Sequence, residues 1–167
     1  MPCCGPDLGM SVPNATTMER WAVRKRLRQL HQLLVKSRAA LEQASAEVRD
    51  KWMSDLFFML SCRRLIMLNL LDRELGTLGV TNKVGAFLKE NAPKLAVVTD
   101  DKQEQGARMV ADQVEEESYL KKELHDLLFQ PGLAGRTRQM IVNLLSETEE
   151  NMHDLDFIRT NLSSLRA

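Results

Sequence analysis

Between Val23 and Val48 the chain repeats one interval pattern: Val23, Leu27, Leu30, Leu34, Ser37, Leu41, Ala44 and Val48, alternating steps of four and three. The final stretch does the same through Ile141, Leu144, Thr148, Asn151, Leu155, Ile158, Leu162 and Leu165, flanked by Leu145 and Met152. Such steps line up only on an α-helix, and a seam kept over so many turns calls for a partner helix. Strands have little to be made of, because Val-Ile-Thr alternation is almost absent and aromatic residues are 5% of the chain. The five prolines and seven of the eight glycines cluster at the start, near Gly76 to Pro93 and at Pro131 to Gly135, Gly106 being the exception. The stretches between them are rich in good helix formers, so the chain reads as all-α.

The spacing predicts four helices near residues 16–49, 51–78, 101–129 and 135–163. The first opens on Thr16-Thr17-Met18-Glu19, which has capping-box spacing. Asp50 falls in the first connection. The second helix carries Trp52, Leu56, Met59, Leu60, Ile66, Met67, Leu70, Leu71 and Leu75 and stops at Gly79. Its run Leu65-Ile66-Met67-Leu68 predicts burial on more than one side. In the third helix Asp100, Asp101 and Glu104 suit the positive N-terminal end, and the stripe is Val110, Val114, Glu117, Leu124 and Leu128. Two short connections and a long one over 79–100 predict two helical hairpins joined by a crossover, a four-helix bundle over 16–167. A short helix around Lys83 to Asn91 is expected within the crossover. Residues 1–15 carry no periodicity and read as a flexible arm.

Some details resemble one family. The first helix reads Leu30-His31-Gln32-Leu33-Leu34, then Ala40-Leu41-Glu42. The second has Arg63 and Arg64 after an apolar run and closes with Leu75-Gly76-Thr77-Leu78-Gly79. Lys83 to Lys89, Glu116-Glu117, Leu127-Leu128 and Pro131 follow in order. This resembles the bacterial ferritin-like bundle family DUF2383. The resemblance implies a ferritin-like fold, and with it a possible iron or manganese site fed by Glu117 and Glu42, which match family glutamates.

Ferritin-like metal sites take a Glu from each of two helices and an inward Glu-x-x-His pair from each of the other two. Such a string exists at Glu150-Asn151-Met152-His153, but it points the wrong way. At about 100° per residue, Glu150 and His153 lie roughly 140–200° from the seam of their helix. The second helix has no His. Of the candidates, only Glu117 interrupts an apolar stripe. An inward carboxylate costs several kcal/mol unless it is paired. Its expected partner is Arg63 or Arg64 in a buried or half-buried ion pair, and the alternative is a metal. The reading is a ligand-depleted bundle, with no cofactor expected.

Charge is balanced at 23 basic and 23 acidic residues, so no global field points to nucleic acid. One basic run, Arg20, Arg24, Lys25, Arg26, Arg28, Lys36 and Arg38, could follow phosphate or an anionic membrane. Acid-rich stretches from Asp100 to Glu117 and from Glu147 to Asp156 make charge matching within or between chains the preferred reading. Nucleophilic catalysis has no support. Cys62 reads as a core thiol, His31, His125 and His153 fall on three different helices, and no phosphate-binding glycine loop occurs. Cys3-Cys4 in the arm is either tolerated or a site for lipid or soft metal. No apolar run reaches the ~18 residues of a membrane span. A reduced, cytoplasmic setting follows from the few cysteines. The chain is expected to be a non-catalytic structural or protein-interaction module that self-associates or takes a helical partner. The alternatives are a di-metal carboxylate bundle for iron binding or oxidation, and a basic-helix binder of nucleic acid or membrane surface.

Overall fold

The computed structural model of the chain describes residues 16–80 and 102–164. The expected arm at 1–15 and the expected short helix at 83–91 lie outside the described residues, as do Asp100, Asp101 and Leu165. Within them the chain forms four helices, α1 (Thr17–Glu47), α2 (Lys51–Thr77), α3 (Lys102–Leu128) and α4 (Gly135–Ser164).

Local chemistry explains where these helices start and stop. At α1 the Glu19 amide donates to the Thr16 hydroxyl at 3.2 Å, and the Thr16 amide donates to the Glu19 carboxylate at 2.7 Å. Both bonds satisfy amides that the first turn would leave unpaired. Asp50 caps α2 by accepting from the Met53 amide at 2.9 Å. At the far end of α2, Gly79 adopts a left-handed φ of 69°. There the Val80 amide reaches back to the Leu75 carbonyl and the Gly79 amide to that of Gly76. This is a Schellman stop, completed by Val80 and Leu75, which are buried in one apolar cluster. Gly132, with φ 79°, turns the chain between α3 and α4.

The helices form a four-cornered bundle in which α1 neighbours α2 and α3, and α4 neighbours α2 and α3. Contacts along their lengths set the directions. Arg26, early in α1, meets Glu123, late in α3, and Glu74, late in α2, meets Thr137, early in α4. Both neighbouring pairs therefore run antiparallel. The diagonal helices α2 and α3 run the same way, so α2 ends at one end of the bundle and α3 begins at the other. Two hairpins related in this way require a long crossover.

The seams face inward as their periodicity predicts, with Val23, Leu27, Leu30, Leu34, Leu41 and Ala44 buried on α1 and Ile141, Leu144, Leu155 and Ile158 on α4. The expectation for α2 is corrected. It buries a single face that includes Met53, Phe57, Leu60, Met67, Leu71 and Leu75, whereas Leu65 and Ile66 are exposed. Trp52 and Met59 are exposed too, as is Cys62, so the core-thiol reading fails. A corner helix of a four-helix square meets neighbours on one side only, and an apolar run longer than one turn must then show part of itself to solvent.

Candidate functional site

Among the described residues the apolar core forms two separate clusters. One holds Val23 to Leu34 of α1 with Met67 to Leu75 of α2, Leu120 to Leu127 of α3 and Met140 to Leu144 of α4. The other holds Leu41 to Val48, Met53 to Leu60, Met109 and Val110, and Leu155 and Ile158. Between them every helix contributes buried polar residues. These are Ser37 from α1, Ser61 and Arg64 from α2, Gln113 and Glu117 from α3, and Thr148 and Asn151 from α4. This layer, midway along the bundle, is the candidate site.

Arg64 crosses it diagonally. Its Nη2 donates to Oε1 of Glu117, its Nε to the Ser37 hydroxyl at 2.9 Å, and its Nη1 to the Met67 sulfur at 3.3 Å. Both members of the Arg64–Glu117 pair are fully buried. Gln113 adds a longer bond to the same carboxylate oxygen, at 3.4 Å. Thr148 and Ser61 donate to carbonyls of their own helices, at Leu144 and Phe58. Among the described residues, two buried polar atoms lack a partner: Oε2 of Glu117 and Nδ2 of Asn151. Burial pushes the Glu117 carboxyl above its ordinary range, and the Arg64 charge beside it opposes this without cancelling it.

Of the two arginines that sequence offered, Arg64 turns to Glu117 and Arg63 turns elsewhere. Arg63 donates to Asn151 Oδ1 at 2.8 Å and to Asp154 at 2.9 Å on α4. Adjacent residues on a helix diverge by about 100°, so only one of them can reach the diagonal helix.

The remaining candidate ligands do not converge on the layer. Glu42 is exposed and pairs with Arg38 one turn away on α1, and Glu150 and His153 are exposed on α4. Among the described residues no three His, Cys, Asp or Glu side chains gather as a metal ion requires. The layer has a single carboxylate, with one of its oxygens already taken by a guanidinium. That donor set does not fit an iron or manganese pair, which needs several hard oxygen donors with imidazole.

The basic run of α1 is divided by the fold. Arg26 leans onto the end of α3, reaching Glu123 there and Gln130 in the connection that follows. Lys25 lies 5.2 Å from the centre of the Trp21 ring, and Arg28 is exposed. Arg20 and Arg24 line an open cavity of about 740 Å³ at the bundle end, together with Arg138, Phe129 and Leu133.

Three features were not singled out from sequence. Gln113 stands one turn before Glu117 and bonds it. Glu74 is buried, accepts from the Thr137 hydroxyl and forms an ion pair with Arg136 at 3.2 Å. His31 is buried and meets Asp72 at 2.8 Å. A usable signal existed for the layer itself: Ser37, Thr148 and Asn151 are the polar members of otherwise apolar seams.

Comparison with known proteins agrees with this architecture. No family model matches the chain, and no curated protein does. Among solved structures, the chain is similar to a two-domain protein from Anabaena variabilis containing DJ-1/ThiJ/PfpI-like and ferritin-like domains. The match has a TM-score of 0.68 at 12% identity and covers 98% of this chain and 45% of the other. At that identity the likeness concerns the fold alone: the chain is an all-α four-helix bundle of ferritin-like architecture.

Proposed function

We propose that this chain is a ligand-depleted relative of the DUF2383-type bundles and acts as a non-catalytic structural or protein-interaction module that self-associates. One observation carries the reading: the Arg64 guanidinium, bonded to Glu117 and Ser37, fills the mid-bundle layer between the two apolar halves. A fixed cation already balances the layer's only carboxylate. A divalent ion there would have to displace a buried, hydrogen-bonded guanidinium, and the exposed Glu42, Glu150 and His153 offer it no compensating ligands. The helix order and the leucine-glycine close of α2 support the family proposal.

Metal analysis of protein purified without chelator, and again after incubation with ferrous iron or manganese, tests the reading. The expected content is well under one equivalent. Two retained equivalents of iron, lost on Glu117→Ala, would reverse it in favour of the di-metal alternative.

A further inference from the structure

The outer face of α2 carries a second seam. Trp52, Asp55, Met59, Cys62, Ile66, Asn69 and Arg73 follow one another at steps of three and four, and all are exposed. Trp52 is 56% exposed and Ile66 55%, and Phe58 and Leu65 widen the apolar strip on one side. Such a stripe is the pattern of a helix that faces another helix, and a contiguous apolar patch of this kind on a surface marks an interaction site.

The order of residues along the stripe says which helix. Asp55 and Arg73 lie at equal distances either side of Arg64, as do Met59 and Asn69, and Cys62 and Ile66. Two copies of α2 laid antiparallel about a two-fold axis at that midpoint set Asp55 of each opposite Arg73 of the other. Cys62 then meets Ile66, and Met59 meets Asn69. Trp52 falls opposite Gly76, beside which there is open space. Asp55 and Arg73 form no ion pair with other described residues of their own chain. Of the charged neighbours on α2, Asp72 is engaged with His31 and Arg63 with Asp154, while Lys51, exposed one turn before Asp55, falls opposite Thr77 of the other copy, where it meets no charge. The face is thus self-complementary in charge and apolar at its middle, which is what a two-fold contact between identical chains requires.

We propose that the chain forms a homodimer through this face, with α2 packed antiparallel on α2 of a second copy and two Asp55–Arg73 pairs closing the ends. The proposal rests on reading the chain as a self-associating module and names the surface and the register. Sedimentation equilibrium of the full chain tests it with the parent, Asp55→Arg, Arg73→Asp and the double exchange, each checked for helical content by circular dichroism. The parent should be a concentration-dependent dimer. Either single exchange sets like charges opposite each other and should weaken association by about tenfold, and the double exchange should restore most of it. A parent that stays monomeric overturns the proposal, as does a dimer indifferent to the single exchanges or not rescued by the double. Metal content of the same samples separates the two readings: an iron-loaded dimer that responds to the exchanges would sink only the non-catalytic one, and an iron-free dimer indifferent to them would sink only this one.

Discussion

Arg64 and Glu117 are each other's only counter-charge inside a layer without exposure, and that decides how their substitutions behave. Removing either partner leaves the other as a buried, uncompensated charge, so Arg64→Ala and Glu117→Ala should each cost about 3–5 kcal/mol in urea unfolding. The two losses should be strongly non-additive. Arg63→Ala breaks a half-exposed pair with Asp154 and a bond to Oδ1 of the buried Asn151, and should cost about 1–3 kcal/mol, additively with Glu117→Ala. Replacing both core charges by Met and Leu should leave the fold as stable as the parent or more so, because the ion pair gives up much of its attraction to desolvation. The pH dependence follows from the same burial. The folded-state value of Glu117 lies above its ordinary 4.5, so the folded chain holds this proton more tightly than the unfolded one. Its contribution to stability therefore falls as pH rises from 4.5 through the raised folded value and is constant above it. Relative to Glu117→Gln, the parent should gain stability as pH is lowered through that window; a difference flat with pH would mean that Arg64 cancels the effect of burial.

At the scale of elements, the helix ends are unequally provided for. Thr16 and Asp50 cap α1 and α2 by side chain, and Glu104 stands in the first turn of α3. The start of α4 has no acid in its first turn; its first backbone bond is accepted by the carbonyl of Ala134, and Arg136 and Arg138 follow. Alanine caps poorly, and cations are unfavourable at the positive end of a helix. Ala134→Asp should therefore stabilise the protein by about 1 kcal/mol, measured by denaturant unfolding. A neutral or destabilising result would mean that this amide cluster already has a partner. Element boundaries were legible from sequence where side-chain chemistry marks them, at Thr16, Asp50, Gly79 and Pro131. The outward half of α2 was not, because a run such as Leu65-Ile66-Met67-Leu68 is apolar all round and periodicity cannot tell which side has a neighbour.

At the scale of the molecule the polar layer divides the core, among the described residues, into two apolar halves that share no buried residue. Leu124 belongs to one half and Leu155 to the other, and both are fully buried. Leu124→Ala and Leu155→Ala should each cost about 2–5 kcal/mol, and the double variant should equal their sum within about 0.5 kcal/mol. A large coupling would mean that the layer transmits packing changes between the halves. The layer also explains why the bundle keeps its register. Sliding one helix past its neighbours would bury Arg64 or Glu117 against leucines and leave its charge unmatched.

Sequence alone determined the faces of α1, α3 and α4: steps of four and three assign each an inward stripe, and they put Ser37, Glu117, Thr148 and Asn151 on those stripes. It left the heights open. A heptad seam nearly repeats every seven residues, about 10 Å along a helix, so a slip of that length still buries leucine on leucine. Only the packed bundle brought the polar members of four seams to one level, chose Arg64 over Arg63 for Glu117, and turned the remaining apolar face of α2 to the outside. Periodicity records the direction of a side chain about its own axis. Which residue of another helix it meets depends on how the helices are set along and around one another, and that exists only in the assembled fold.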